Sequence, residues 1–200
     1  AMIKRTIDIL LATGGLFFFL PFMLFACIML ACSGAGGVFY RQQRIGLKGE
    51  KITVFKFCTL YNEKPRSWFA LLLRKTALDE LPQLLNILRG EMSFVGPRPL
   101  VEREVAQATE KDRLEQRLSL PPGLTGVSQL FLSKNAPIEQ KITCDLWYRS
   151  HQNVFLDIFL LCLSIFVTGS GNWDGQERSG ILRKAHKMLC FLTRSELSIR

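Results

Sequence analysis

Residues 9–40 read ILLATGGLFFFLPFMLFACIMLACSGAGGVFY, and no charged side chain stands between Asp8 and Arg41. How these 32 residues meet a membrane decides the architecture of the chain. As one straight helix they would measure about 48 Å against a hydrocarbon core of about 30 Å, so a shorter span within the segment would suffice to cross. Lys4 and Arg5 precede the run as they would in a signal peptide. The run is too long for one, however, and its Ala/Gly-rich end at 31–37 leads directly into charged sequence.

Two features argue for re-entry instead of crossing. Pro21 stands near the middle, with Gly14-Gly15 upstream, which builds in a place to bend. Positive charge lies on both flanks, Lys4 and Arg5 before and Arg41, Arg44, Lys48, Lys51 and Lys56 after, so a crossing helix has no clear inside end. A bend at Pro21 leaves two arms of about 12 residues, each about 18 Å long and too short to span alone. From the residues alone, a re-entrant hairpin and a true crossing stand equal.

The whole chain has 200 residues, 48% apolar and 22% charged, which excludes a disordered chain or a coiled coil. Its 26 Lys+Arg against 17 Asp+Glu give a net charge of +9 and imply an anionic partner: nucleic acid, acidic lipid or a phosphorylated small molecule. No helix-turn-helix, zinc-finger or aromatic RNA-binding signature is present, so nucleic acid is not expected. The six cysteines (27, 32, 58, 144, 162 and 190) form no CxxC pair and His151 and His186 are far apart, which argues against a zinc site or a disulfide framework. The cysteines are read as reduced and the compartment as cytoplasmic.

Residues 38–42 and 52–57, rich in β-branched and aromatic side chains, flank Gly46 and Gly49 and predict a β-hairpin. Residues 68–73 predict a helix ending in Arg74-Lys75, suited equally to a core or to a bilayer interface. In TALDELPQLLNILRGEMSFVGPRPL (76–100), Leu81, Leu84, Leu85 and Leu88 repeat as one helix face that Gly90 closes. Pro82 belongs in a first turn, so that helix starts near Asp79. Residues 102–118 predict a surface helix, Pro121-Pro122-Gly123 a turn, and residues 154–167 a core or interfacial helix too short to cross. The tail beyond 170 is basic and reads as loosely ordered.

Chemistry concentrates at 76–100. Asp79-Glu80 alone would pass for helix capping. Arg74 and Lys75 lie just upstream, however, and Gly96-Pro97-Arg98-Pro99 is a stiff turn that aims one guanidinium, which suits a phosphate oxygen. Two carboxylates beside a phosphate call for a divalent cation, and Mg²⁺ takes such ligands readily. Adjacent acids cannot flank a glycosidic bond from opposite sides, which disfavours a glycosidase. Metal-assisted phosphoryl transfer to a carboxylate nucleophile is coherent with this set.

This stretch resembles the signature of the bacterial sugar transferases, the monotopic polyprenol-phosphate phosphoglycosyl transferases. Arg5-Thr-Ile-Asp8, FYRQQRIGLKGEKITVFKF (39–57), Pro122-Gly-Leu-Thr-Gly126 and Asp145-Leu-Trp-Tyr148 resemble further blocks of the family, so that the likeness covers most of 3–168. The resemblance implies a UDP-sugar donor and a polyprenyl (undecaprenyl) phosphate acceptor. Asp79 would attack the sugar-linked phosphate, release UMP and form an aspartyl phosphosugar intermediate. Glu80 and Mg²⁺ would assist, with Asp79 and Glu80 as the metal ligands. Lys56, Arg74, Arg98, Pro122, Gly123, Thr125 and Gly126 would bind substrate. It also implies a re-entrant anchor on the cytoplasmic face of the bacterial inner membrane, among inner-leaflet lipids, in a pathway that initiates membrane-linked glycans.

The chain departs from that pattern where Leu20 replaces a Ser before the bend proline and Cys58 replaces a basic residue. Val127 and residues 130–132 stand where the family carries a Trp and an Asn-Gly-Arg; Lys134 is the nearest cation. The expectation is an α+β, mainly helical fold: a re-entrant membrane helix-hairpin at 1–40, then a small β-hairpin and interfacial helices around a compact catalytic domain at 41–170, and a basic tail at 171–200. The rival reading is a single-pass protein whose basic domain binds a partner or acidic lipid. The sugar and the oligomeric state are open.

Overall fold

The computed structural model describes residues 2–34, 36–133 and 135–169, so the basic tail and Lys134 lie outside the described residues. The fold is mainly helical with small sheets. Helix α1, Met2–Cys32, is continuous through Pro21, so the proline stands inside a helix and not in a loop between two separate arms. The ring removes one backbone hydrogen bond and crowds the carbonyl four residues back, yet the helix runs through.

Both halves of α1 touch the same body. Near its start, Lys4 Nζ pairs with Asp157 Oδ2 at 2.5 Å, and the Arg5 guanidinium donates to Ile87 O and Leu88 O at 2.5 and 2.8 Å. Those carbonyls belong to the end of α3, where a cation meets the negative pole of the helix. Buried Asp8 accepts from Phe94 N at 3.1 Å. Further along, Ala26 and Leu30 pack with Phe57, Phe69, Ala70 and Leu73, while Arg66 donates to Leu30 O and to Gly37 O. The other side of α1 leaves Leu10, Phe17, Phe18 and Ile28 exposed.

Strands β1 (Phe39–Ile45) and β2 (Lys51–Phe57) form the expected hairpin, antiparallel with Tyr40 opposite Lys56 and Gln42 opposite Val54. Short β3 (Leu60–Tyr61) and β4 (Lys64–Pro65) lead to α2, Trp68–Lys75, whose N-terminus is capped by the Ser67 side chain accepting from Ala70 N at 3.1 Å. Helix α2 buries Phe69, Ala70 and Leu73 and exposes Trp68 and Leu72, so it is core on one side and apolar surface on the other.

The helix expected from Asp79 to Gly90 is two pieces: a 3₁₀ helix, Leu78–Gln83, then α3, Leu84–Arg89, closed by Gly90 at φ 85°. The change of pitch rotates the buried face. Leu84 and Ile87 are buried but Leu85 is exposed, against the expected leucine stripe. Asn86 takes part of the interior instead, donating to Thr53 O at 2.7 Å and accepting from Phe55 N at 3.3 Å, which ties α3 to β2.

The surface helix expected over 102–118 is likewise split, into α4 (Glu102–Gln107) and α5 (Lys111–Leu118). The break lets Ala108 and Leu114 reach a shared cluster with Leu100 and Ile142, while Thr109 donates twice to Glu139. Arg117, expected on the surface, is buried. Strand β5 (Ser93–Val95) pairs in parallel with β6 (Gly123–Thr125). Helices α6 (Val127–Phe131), α7 (Ile138–His151) and α8 (Val154–Gly169) complete the body around Val95, Leu130, Tyr148 and Leu160. The exposed side of α8 carries Phe155, Ile158, Ile165 and Phe166.

Candidate active site

Asp79 and Glu80 lie in the first turn of the 3₁₀ helix, whose N-cap is Ala77, a non-glycine residue held at φ 50°. A left-handed alanine costs about 1 kcal/mol, and such strain is kept where geometry matters more than local comfort. Lys56 reaches across from β2, its Nζ 2.5 Å from Glu80 Oε1. Asp79 is 9% exposed, and no other described side chain donates to its carboxylate. Burial and the charge of Glu80 push the Asp79 carboxyl up to about 6, against the pull of Lys56 and Arg74.

Two openings meet at Lys56. A cavity of about 280 Å³ is lined by Tyr40, Gln42, Lys56, Cys58, Arg74 and Asp79, among others. A narrower cleft is lined by Arg44, Lys56, Glu80, Gln83, Arg98, Gly123 and Gln129, among others. The structure therefore brings Lys56, Arg74, Asp79, Glu80, Arg98 and Gly123 together. Pro122, Thr125 and Gly126 line neither opening. Pro122 O accepts from Ser93 N and Thr125 O from Gly96 N, so these residues fasten the two strands. Glycine is required here by close approach: a Cβ at Gly123 would stand 2.1 Å from Gly96 N, and one at Gly126 would stand 2.1 Å from Gly96 O.

The residues missed from the sequence are Tyr40, Gln42, Arg44, Gln83 and Gln129. Tyr40, Gln42 and Arg44 alternate along β1 and so share one sheet face, which Lys56 joins through its pairing with Tyr40. The polar alternation inside FYRQQRI was the available signal. Burial, and then the Arg98 charge across the cleft, hold the Arg44 guanidinium below its ordinary range. Two guanidiniums kept that close favour an anion such as phosphate, even with Glu80 lining the same cleft.

A second acid is handled differently. Asp145 is 1% exposed and accepts from Arg117 Nε at 2.8 Å. Burial pushes its carboxyl up, while Arg117 and the hydroxyl and amide of Ser128 beside it favour the charged form. Tyr148, three residues on, donates to Asp157 Oδ1 at 2.5 Å and accepts from Lys4 Nζ at 3.2 Å, which fastens α1 to α8.

For a divalent cation, the donor set is the adjacent pair Asp79 and Glu80; no cluster of three His, Cys, Asp or Glu exists among the described residues. Two carboxylates fit Mg²⁺, which keeps several waters and completes its shell with substrate phosphates, better than a metal that needs an all-protein cage.

A carboxylate in a cavity it shares with Lys56 and Arg74, in a chain whose first helix is long and apolar enough to cross a bilayer, is consistent with a membrane protein and suits phosphate-bearing ligands. Comparison with known proteins makes the assignment: the chain belongs to the bacterial sugar transferase family, which it matches over residues 1–171. It is 34% identical over 175 residues to the uncharacterized sugar transferase EpsL of Bacillus subtilis, covering 82% of this chain and 86% of that protein. It is 32% identical over 192 residues to the exopolysaccharide production protein ExoY of Rhizobium meliloti, covering 82% and 84%. Against the longer UDP-glucose:undecaprenyl-phosphate glucose-1-phosphate transferase of Escherichia coli, identity is 33% over 189 residues, covering 82% of this chain and 40% of that protein.

Proposed function

We propose that this protein moves a phosphosugar from a UDP-sugar to undecaprenyl phosphate or a similar polyprenyl phosphate, through a covalent intermediate on Asp79. The observation that carries the reading is the state of Asp79: a buried carboxylate, next to Glu80 and between two cations, that no side chain occupies. Relatives support the substrate classes, since that of Escherichia coli is named a UDP-glucose:undecaprenyl-phosphate glucose-1-phosphate transferase and that of Salmonella typhimurium an undecaprenyl-phosphate galactose phosphotransferase.

In the first half-reaction an Asp79 oxygen forms a bond to the sugar-linked phosphorus. The bond from that phosphorus to the bridging oxygen breaks, and UMP leaves with the electron pair. In the second, an oxygen of the polyprenyl phosphate attacks the same phosphorus, releasing the Asp79 carboxylate and giving the polyprenyl-diphosphate sugar. Lys56 holds Glu80 in place and puts positive charge beside both openings; Arg44 and Arg98 hold donor phosphate oxygens, and Arg74 serves the larger cavity that Asp79 lines. Mg²⁺ on Asp79 and Glu80 would offset phosphate charge. An Asp79 pKa of about 6 leaves the nucleophile ionised at neutral pH while keeping it more basic than an ordinary aspartate.

The anchor follows the same logic. Contacts from both the Lys4–Asp8 and the Ala26–Leu30 stretches of α1 to one body support an anchor that would keep its two ends on one side of the membrane. The exposed apolar residues of α1, α2 and α8 would then rest in the inner leaflet on the cytoplasmic face, at the height of the acceptor's phosphate. Labelling a cysteine placed at Met2 from the periplasm tests this: protection is expected, and modification would overturn the monotopic placement.

The activity test is UMP release by purified protein with Mg²⁺, undecaprenyl phosphate and a panel of UDP-sugars. Release with at least one donor is expected. Silence across the panel from folded protein would contradict the assignment and favour a binding role for the basic domain.

A further inference from the structure

The backbone that carries Arg98 is pinned at four successive peptides. Pro97 O accepts from Gly123 N at 2.8 Å, Arg98 O from Arg117 Nη2 at 2.7 Å, Pro99 O from Arg44 Nη1 at 3.3 Å, and Leu100 O from Ile45 N at 2.7 Å. Pro97, Pro99 and Leu100 are buried, whereas Arg98 is exposed and lines the cleft. Its guanidinium makes no hydrogen bond or ion pair with another described residue. The turn is therefore rigid in its main chain and spends nothing of its one cation on the protein.

Arg117 is the unusual donor of the four. It comes from α5, is 2% exposed, and is held by buried Asp145 on α7. Two charges have been taken out of water, an expense that ion pairing alone seldom recovers. A bidentate pair would close the guanidinium fork on both carboxylate oxygens. Here the Nε arm takes Asp145 and the Nη2 arm takes the Arg98 carbonyl. Apolar side chains of equal volume would fill the space but could not hold that peptide.

We propose that Arg117, oriented by Asp145, is a positioning residue for Arg98: through the Arg98 carbonyl it sets the angle at which the Arg98 guanidinium meets the donor's diphosphate. Neither Arg117 nor Asp145 touches substrate. The proposal rests on the reading that the cleft binds a UDP-sugar, and its consequence falls on donor recognition, not on the acceptor.

The test is a double-mutant cycle of Arg117→Lys and Arg98→Ala, read as KM for the UDP-sugar and kcat in the UMP-release assay, with UDP binding measured by calorimetry and thermal unfolding alongside. Lysine keeps a charge for Asp145 but cannot serve two partners in the arginine geometry. Arg117→Lys is expected to raise the donor KM and the UDP dissociation constant roughly tenfold, with kcat and acceptor KM little changed. In the Arg98→Ala background it should have no further effect on donor binding. Should Arg117→Lys fail to fold, Arg117→Gln, whose amide reaches one partner at a time, replaces it in the same cycle. Equal effects of the Arg117 variant with and without Arg98, or none in either, overturn the positioning role while UDP binding by the unaltered protein leaves the functional reading standing. Failure of the unaltered protein both to bind UDP and to release UMP overturns the reading and this proposal together.

Discussion

Asp79 and Asp145 are both buried aspartates, and the fold treats them in opposite ways. Asp145 has a guanidinium 2.8 Å away and a serine beside it, so its charge is consumed by architecture. Asp79 has burial, a like charge next door and cations that attract it without a hydrogen bond, so its charge stays available and its pKa rises to about 6. Burial alone therefore does not mark a reactive acid. Burial with no side-chain donor, only the residue's own backbone N–H, marks a candidate, because the free energy that structure withholds from the carboxylate is recovered when it bonds to something else.

The largest expected effect lies at the poised acid. Asp79→Asn should lower UMP release by about a thousandfold or more, as loss of a covalent nucleophile does. The same change should stabilise the fold. With a folded pKa raised above the unfolded value, Asp79 binds its proton more tightly in the native state, so its destabilising influence is complete above about pH 6 and fades as pH falls towards 4. In chelator at pH 7.5, Asp79→Asn should gain on the order of 2 kcal/mol, checked by denaturant unfolding.

Asp145→Asn should do the reverse at comparable size, costing about 3–5 kcal/mol because it strands the buried Arg117 charge. Stability losses of similar size in both aspartate variants would erase the contrast between the two sites. A smaller effect is expected at Arg98, where Arg98→Ala should raise the donor KM by roughly 10–100-fold, the worth of one or two charge-assisted hydrogen bonds. Smallest is the pH response. In chelator, the stability advantage of Asp79→Asn should shrink to about half between pH 7.5 and pH 5, as Asp79 takes up its proton through about pH 6. A profile flat down to pH 5 would place the nucleophile's pKa near that of an ordinary aspartate.

The legible parts of this molecule were local. Gly90 at a helix end, the apolar helix ending in Arg74-Lys75, the hairpin around Gly46 and Gly49, and the acid pair with its Pro-Arg-Pro turn are written in consecutive residues. What was not legible depends on partners distant in the chain. Nothing near Arg117 announces that it is buried, because the reason is Asp145 on another helix. Leu85 leaves the core because a 3₁₀ turn precedes α3, and the 102–118 helix breaks where Glu139 supplies hydrogen bonds to Thr109. Pro21 offered a bend by its chemistry, yet α1 stays helical through it, and contacts at Lys4, Asp8 and Leu30 hold both of its halves to the body. Within the site, Lys56 and Arg98 were anticipated by type, whereas Arg44 emerges from sheet pairing that puts alternate residues of β1 on one face.

The central claim is a covalent bond to Asp79, and isotope exchange tests it most directly. Labelled UMP is incubated with the cognate UDP-sugar, Mg²⁺ and protein in the absence of any polyprenyl phosphate. The account predicts that label enters the UDP-sugar at a rate comparable to turnover, and that Asp79→Asn abolishes it. No exchange by protein that releases UMP once acceptor is added would contradict the covalent intermediate and leave direct transfer between the two substrates.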